Sequence, residues 1–558
     1  MHDDICFHTV ERQRGICGDF VNKKHTISRL LTPTPRQGGS SYTYQLLDKV
    51  QYNPSFFSLI VGGMCWGRVR VLASYASLSL CSLSGTLSET SPKVSLPKDC
   101  VHVGYVTDIE GNLDYWRRYK RISRVLETEQ GKLRLRDDCL LVFGGDVCDR
   151  GPGDLRIIQE LLELKAAYPD RVFFILGNRD VNKLRFAVDA SDKLITKELY
   201  PYWISPLQVS GTGAGSISRR VQWMLKSSMG APLTFEYRRK ELAELGLPCS
   251  DDDVAKSFIE SVQSKGCLTK MLHHGQLGLV IQDTLFVHGA LLPHVIARVP
   301  PQLENEGQDL KQWISALNEF KTNEMEDYIR NIEDYISRME PLPSSSWSHV
   351  GGFSHAQPGS RLVHYGMGWN PDRSVNPSII YSNFLGDKGQ YHQLPDAVSE
   401  YCKASGIRRV IVGHQPVGDC PLPIASKLNE VIALCGDTSY ANDVIWEPFD
   451  TSLFPVFEHS SPPPEDSSRG SAVSEILVSF GPRGDSTATV HGILSNNLKY
   501  EYSLSDPDAR LLGRDYRGWW AKAILYGGPN ADKFILMSRK DGFRVANKIV
   551  PICEIAGT

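Results

Sequence analysis

Short runs of apolar, often β-branched residues recur along the chain from Val101 onward. Each run ends in a polar, glycine-rich turn, which is the pattern of a buried strand followed by a loop. Helical periodicity follows the first two runs, at Leu113–Leu126 and Asp154–Ala167. This alternation predicts a βαβ core with functional groups at the carboxyl ends of the strands. The runs are Val101–Thr107, Cys139–Phe143, Val172–Leu176, Leu285–Val287, Arg409–Val412 and Val431–Leu434.

Two long segments interrupt the alternation and are interpreted as insertions. The first, at about residues 184–278, contains helical stretches such as Asp251–Ser264, whose aspartate-rich start is typical of a helix N-terminus. The second, at about residues 308–370, begins with a strongly charged helical segment and ends in a glycine- and aromatic-rich loop. Residues 458–470 have the composition of a flexible surface loop. We therefore predict one domain over residues 101–503 that contains these insertions.

The two ends of the chain differ from this middle part. Residues 1–97 have no core-like pattern, and their apolar run Phe56–Trp66 is shorter than the roughly 20 residues that span a bilayer. We predict a low-order N-terminal extension, with a targeting segment as the open alternative, because two arginines and a serine-rich stretch follow the run. Residues 513–558 are predicted to form a small C-terminal appendage of unassigned role.

Composition narrows the class of protein. The net charge of −3 argues against a nucleic-acid partner, because binding to a phosphate backbone needs a clustered positive surplus. The 13 cysteines are scattered without a CxxC pair, which is typical of reduced intracellular thiols. We expect an intracellular, cytoplasmic protein without a transmembrane segment, and organelle targeting is the alternative. The sequence indicates no oligomeric state.

Polar blocks with ligand chemistry follow five of the predicted strands. Carboxylate, amide and imidazole groups together suit hard to borderline divalent ions such as Mn, Fe, Zn or Mg. Because these strands end at one edge of the predicted core, we expect the side chains to converge there. The blocks are Asp108-Ile109-Glu110-Gly111, Gly145–Gly151, Gly177-Asn178-Arg179-Asp180, His288-Gly289-Ala290 and Gly413-His414-Gln415.

In this order the blocks resemble the motifs of the calcineurin-like metallophosphoesterase superfamily, and within it the phosphoprotein (Ser/Thr) phosphatase-like branch. The block GDxxDRG, at Gly145–Gly151, is the most specific of them. The resemblance implies an α/β fold in which two mixed β-sheets pack face to face with flanking helices, here with helical insertions. It also implies hydrolysis of a phosphate ester by a hydroxide bound to two divalent metal ions, with manganese among the candidates.

The resemblance implies a role for each residue at the strand ends. Asp146 would bridge the two ions, Arg150 would bind the substrate phosphate, and Asp149 would orient the catalytic group. Asp108 and Glu110 would complete the ligands of the first ion. Asn178, His288 and His414 would hold the second ion. The implied metal ligands are Asp108, Glu110, Asp146, Asn178, His288 and His414. Asp437 follows a predicted strand and is a further candidate to face the site. His273, His274, His355 and His364 are interpreted as surface or loop residues.

Two residues depart from the family pattern. Glu110 stands where the family has a histidine ligand, and Arg179 stands where it has the histidine taken as general acid. An arginine cannot donate a proton usefully, because its pKa exceeds about 12. We therefore interpret Arg179 as a catalytic residue that binds phosphate beside Arg150. The expected substrate is a phosphorylated protein or small molecule. A nucleotide polyphosphate hydrolase and a pseudophosphatase that binds phosphopeptides without turnover remain alternatives.

Overall fold

The computed structural model describes residues 101–194, 215–300, 309–339, 357–369, 374–385, 390–457, 467–542 and 544–556. The extension predicted for residues 1–97, residues 458–466 of the predicted loop and His355 lie outside the described residues. The strands are β1 (Val101–Val106), β2 (Leu126–Glu129), β3 (Lys132–Leu135), β4 (Cys139–Phe143), β5 (Val172–Phe174), β6 (Gly278–Ile281), β7 (Thr284–Val287), β8 (Arg409–Val412), β9 (Leu422–Ala425), β10 (Ile432–Cys435), β11 (Val444–Trp446), β12 (Val473–Phe480), β13 (Ser486–Ile493), β14 (Lys499–Ser503), β15 (Asp515–Tyr516), β16 (Trp519–Gly527), β17 (Asp532–Asp541) and β18 (Arg544–Pro551). The α-helices are α1 (Leu113–Ile122), α2 (Asp154–Ala167), α3 (Asn178–Asn182), α4 (Phe186–Asp189), α5 (Ile217–Trp223), α6 (Thr234–Glu244), α7 (Asp251–Val262), α8 (Cys267–His274), α9 (Leu310–Arg338), α10 (Ser360–Met367), α11 (Asp396–Ala404) and α12 (Cys553–Ala556).

A mixed sheet of six strands, in the order β14-β13-β12-β1-β4-β5, carries the first three polar blocks. Strand β1 is parallel to β4 and β4 is parallel to β5, whereas β12 is antiparallel to β1. Parallel pairing brings the carboxyl ends of β1, β4 and β5 to one edge of the sheet. The blocks that begin at Asp108, Gly145 and Gly177 follow these three ends.

A second mixed sheet of five strands, in the order β6-β7-β8-β10-β9, carries the two histidine blocks. Its strands β7, β8 and β10 are parallel, and His288 and His414 directly follow β7 and shortly follow β8. The two sheets share a hydrophobic core, in which the ring centroid of Tyr105 on β1 lies 5.9 Å from that of Phe286 on β7. The predicted α/β fold, with mixed sheets and helices, is confirmed.

A third sheet, in the order β11-β18-β17-β16-β15, contains most of residues 513–551. It also takes in β11, from residues 444–446, which pairs in parallel with β18. Ile524 on β16 and Ile535 on β17 belong to the same buried cluster as Val103 on β1. The third sheet thus packs into the hydrophobic core that the first two sheets share.

The described parts of the two predicted insertions are mainly helical. The predicted helix start at Asp251 is confirmed, because Ser250 and Asp253 form a reciprocal capping box at the N-terminus of α7. The helix predicted to reach Leu126 ends at Ile122, since Ser123 is extended and its hydroxyl donates to Glu475 at 2.7 Å. Within the described residues, no helix combines the length and the apolar character needed to cross a membrane.

Candidate metal centre

Residues just beyond the strand ends turn sharply toward one another. Asp108, Glu110, Asp146 and His414 have φ angles of +51°, +51°, +54° and +68°, a region that residues with a Cβ seldom adopt. The backbone N–H of Asp108 donates to the carbonyl of Gly145, and that of Glu110 donates to the carbonyl of Asp146, both at 2.9 Å. The loops after β1 and β4 are therefore interlocked, which holds their carboxylates at one edge. Strained backbone of this kind is typical of functional sites.

Asp146, His288 and His414 form a group that can hold a metal ion. One potential ligand atom from each lies within 4.8 Å of the others. The side-chain oxygen of Asn178 lies 2.9 Å from His414 Nδ1 and 3.2 Å from His288 Nε2. Donor atoms at this spacing can share a proton or bind one ion as neighbouring ligands, since bonds of about 2.1 Å at right angles separate two donors by about 3.0 Å.

The histidine tautomer also fits an ion at this position. Nδ1 of His288 lies 2.7 Å from the carbonyl oxygen of Gly144 and donates its proton there, so Nε2 is the nitrogen that faces Asp146 and that would ligate an ion once its proton is displaced. Burial disfavours protonation of His288, but Asp146 beside it raises its pKa to about 10. Burial, together with His288, lowers the pKa of His414 to about 3. One positive charge is thus stabilised at this group, and a divalent cation suits the same position.

The other predicted ligands, Asp108 and Glu110, are engaged by protein groups in this structure. Both oxygens of Asp108 accept the backbone N–H of His414, at 3.2 and 3.1 Å, and one also accepts the hydroxyl of Thr107 at 2.6 Å. Burial and the charge of Asp437 raise the pKa of Asp108 well above its usual range. Asp108 is therefore tied to the loop that carries His414.

Glu110 is engaged by two arginines and a serine. Its Oε1 lies 3.2 Å from Nε of Arg150 and 2.9 Å from Nε of Arg179. Its Oε2 accepts the hydroxyl of Ser439 at 3.2 Å. Burial raises the pKa of Glu110, although both arginines oppose this shift. The carboxylate that would bind a second ion is therefore already paired with guanidinium groups.

Arg179 contacts three carboxylates of the site. Besides Glu110, its Nε lies 3.6 Å from Asp146, and its Nη1 donates to Asp149 at 3.2 Å. The buried ammonium of Lys183 contacts both oxygens of Asp149, at 2.7 and 2.8 Å. Burial opposes ionisation of Asp149, but Lys183 and Arg179 lower its pKa. Asp149 is therefore a fixed anion that orients the guanidinium.

Arg150 lies at the accessible side of the same cluster. Its guanidinium stacks over the ring of Tyr440, with 4.3 Å between the guanidinium carbon and the ring centroid. The side chains of Arg150 and Arg179 keep 20% and 18% of their surface exposed, whereas Glu110 keeps 5%. The two guanidinium groups therefore border solvent, where an incoming phosphate could meet them.

Several residues of the site were not singled out from the sequence. Lys183 lies one helical turn beyond Arg179, a spacing that could have suggested its role. Ser439 lies two residues beyond Asp437, whose carboxylate accepts both its N–H at 2.8 Å and its hydroxyl at 2.6 Å. The position of Asp437 just after β10 was the sequence signal that could have pointed to Ser439. The prediction of a surface or loop position is wrong for His364, which is buried on α10. It is confirmed for His273 and His274, which are exposed at the end of α8.

The third sheet supports the loop that follows His414. Lys540 on β17 donates from Nζ to the carbonyl of Pro416 at 2.6 Å, and the buried Lys522 on β16 donates to that of Val417. Asn547 on β18 donates to Asp419 at 3.0 Å. Three strands thus hold three positions of this loop, Pro416, Val417 and Asp419, which the sequence pattern did not indicate.

Comparison with known proteins agrees with the motif resemblance over part of the chain. Residues 101–225 match the family model described as calcineurin-like phosphoesterase, which covers the blocks at Asp108, Gly145 and Gly177. The predicted resemblance is confirmed for these residues. No curated protein matches the chain significantly.

Solved structures of several phosphatases are distantly similar. A cold-active protein-tyrosine phosphatase of a psychrophilic Shewanella species is 11% identical to this chain, with a TM-score of 0.32. The match covers 70% of this chain and 80% of the phosphatase. A protein serine/threonine phosphatase from Saccharomyces cerevisiae is 10% identical, with coverages of 72% and 79% and a TM-score of 0.30. A metallophosphoesterase from Sphaerobacter thermophilus is 11% identical, with coverages of 74% and 93% and a TM-score of 0.25. These scores are too low to carry an argument.

Proposed function

We propose, from the calcineurin-like phosphoesterase resemblance, that this chain is a metal-dependent phosphoesterase with a protein phosphatase-like activity. The observation that carries the proposal is the convergence of Asp146, Asn178, His288 and His414 beside two partly exposed arginines. A divalent ion bound by these four side chains, with Mn, Fe, Zn or Mg as candidates, would supply Lewis-acid activation of water near neutral pH. The substrate class is a phosphorylated protein or small molecule.

Arg150 and Arg179 bind the phosphate in this account. A guanidinium offers a planar fork of N–H donors that matches two phosphate oxygens, and it stays charged at any physiological pH. Stacking on Tyr440 fixes the plane of Arg150, and pairing with Asp149 fixes that of Arg179. Asp149 acts through Arg179 and is therefore a positioning residue, itself held by Lys183.

The absence of an acid at position 179 affects which substrates react. Protonation of a leaving group contributes about a hundredfold to ten-thousandfold in rate, and Arg179 cannot provide it. Leaving groups that depart without a proton, such as phenolates and phosphates, are favoured over serine alkoxide. This favours a second candidate function, hydrolysis of a nucleotide polyphosphate. A pseudophosphatase would bind phosphopeptides at the same arginines without turnover.

The test uses the full chain with manganese, zinc or magnesium added after chelation. Hydrolysis of p-nitrophenyl phosphate, a phosphoserine peptide and a nucleoside triphosphate is measured alongside phosphopeptide binding. We expect metal-stimulated hydrolysis that is fastest with the aryl ester and is abolished by chelator. The control is Asp252→Asn, an exposed position on α7. Phosphopeptide binding without hydrolysis of any of the three substrates would contradict the proposal and support the pseudophosphatase.

A further inference from the structure

We propose that the guanidinium of Arg179 occupies, as a built-in cation, the place expected for a second metal ion, so that the centre binds a single divalent ion. The inference rests on the proposed function but goes beyond it, because phosphoester hydrolysis itself is compatible with either number of ions. It would make Arg179 both a phosphate ligand and the counter-charge of the carboxylates.

The first support is the state of Glu110. Its two oxygens are taken by three protein donors, Arg150 and Arg179 on Oε1 and Ser439 on Oε2, at 2.9–3.2 Å. Ligation of an ion by Glu110 would require release of these partners. Because the carboxylate is only 5% exposed and the arginines at most 20%, the released guanidinium groups could regain water only by moving outward. Breaking one side of such a buried pair is strongly unfavourable, because it leaves the other charge buried without a partner.

The second support is the location of the guanidinium between two predicted ligands. Nε of Arg179 lies 2.9 Å from Glu110 Oε1 and 3.6 Å from Asp146 Oδ2. A metal ion that completed its coordination with Glu110 and Asp146 would have to enter this same gap. An additional dication beside a fixed guanidinium would also meet like-charge repulsion, which is strong where water is largely excluded.

The third support is the asymmetry between the two halves of the centre. Among the described residues, the three-residue group with ligand atoms in mutual reach is Asp146, His288 and His414. Asp108 is not part of it, and both of its oxygens already accept the N–H of His414. Asp108 therefore holds the loop that carries His414 and lies outside the group whose ligand atoms are in mutual reach. The half formed by Asp146, His288 and His414 can hold an ion, whereas in the other half the carboxylate of Glu110 is paired with protein donors.

The two departures from the family pattern, Glu110 and Arg179, are thus partners of each other. A carboxylate in place of a neutral imidazole adds a negative charge, and the arginine compensates it at 2.9 Å. Either change alone should destabilise the protein, because it leaves a buried charge without its partner. Changing both residues to histidine should open the space between position 110 and Asp146 to a second ion.

The experiment measures ions per chain and their mutual coupling, independently of activity. The full chain is equilibrated with excess Mn²⁺, freed of loose metal, analysed by mass spectrometry for manganese and examined by electron paramagnetic resonance. We expect about one ion per chain with the spectrum of an isolated Mn²⁺. The double variant Glu110→His with Arg179→His should bind about two, with an exchange-coupled spectrum. Arg483→Met, an exposed position, is the matched control.

The outcomes separate this inference from the proposed function. Two coupled ions in the unchanged chain, together with hydrolysis, would overturn the inference and leave the proposed function intact. A chain that binds no ion and hydrolyses nothing would overturn both. If the double variant does not fold, judged by its circular dichroism, Asp108→Asn replaces it. That variant should keep about one ion per chain, as the unchanged chain does, and a fall well below one ion would contradict the inference, because Asp108 would then be a ligand of that ion.

Discussion

Nε of Arg179 lies 2.9 Å from Oε1 of Glu110, in a pair whose side chains are only 18% and 5% exposed. An ion pair shielded to this degree is weak evidence for stability, but removing one partner is strongly unfavourable because the other charge stays buried. Asp146 approaches the same Nε at 3.6 Å, and Asp149 contacts Nη1 of the same guanidinium at 3.2 Å. The pair therefore couples the phosphate-binding arginine to the carboxylates of the metal centre.

A double-mutant cycle measures this coupling in the metal-free protein. Arg179→Met and Glu110→Gln should each destabilise the chain, and the two together should destabilise it by less than their sum. We expect an interaction free energy of about 1–3 kcal/mol from urea unfolding in the presence of chelator. Additivity within about 0.5 kcal/mol would show that the contact contributes no coupling.

Substrate preference tests the role of Arg179 in chemistry. The unchanged chain should hydrolyse aryl phosphates much faster than alkyl phosphates, because no proton donor assists the leaving oxygen. Arg179→His should narrow this ratio by raising the rate with alkyl esters more than with aryl esters. The measurement is kcat/KM over a series of leaving groups of graded pKa. A flat dependence, with chemistry shown to be rate-limiting, would mean that another residue supplies the proton.

The lysines of the third sheet should affect metal binding from a distance. Lys540→Met removes the donor to the carbonyl of Pro416, two residues beyond His414. We expect the dissociation constant for Mn²⁺ to rise by about tenfold, by analogy with the outer partners of metal ligands. Arg544→Met, an exposed position on the neighbouring strand, is the control. Equal affinities of the two variants would show that Lys540 has only a structural role.

Much of the fold follows from local sequence pattern, but the connections within the site do not. Apolar runs such as Cys139–Phe143 and Arg409–Val412 coincide with β4 and β8 because a short apolar run bounded by turn residues is the sequence pattern of a buried strand. The pairing of β11 with β18 joins segments far apart in the chain, and no local pattern encodes it. The contact between Arg179 and Glu110 is of the same kind, since it depends on two loops meeting.

Lys321 gives the stability of the protein a pH dependence. Burial lowers the pKa of this lysine on α9 to about 7, while its Nζ donates to the carbonyl of His273 at 2.6 Å. The unfolded chain binds this proton up to a pKa of about 10.4, so unfolding takes up a proton between the two values and stability rises with pH there. Lys321→Met should remove this rise. The melting temperature of the variant minus that of the unchanged chain should therefore be larger at pH 6.5 than at pH 9.5. A difference that is independent of pH would contradict the shifted pKa.

Hydrolysis by Asp146→Asn shows whether the reaction depends on the metal centre. Asp146 is the buried carboxylate that contacts His288 at 3.4 Å and Arg179 at 3.6 Å, and it is the anionic member of the proposed ion group. The measurement is kcat/KM for p-nitrophenyl phosphate at saturating Mn²⁺, for Asp146→Asn and the unchanged chain, with folding checked by circular dichroism. We predict a loss on the order of a thousandfold or more, because the charge stabilisation supplied by the centre depends on this carboxylate. Near-unchanged hydrolysis by the folded variant, at matched metal occupancy, would contradict a metal-dependent phosphoesterase at this site.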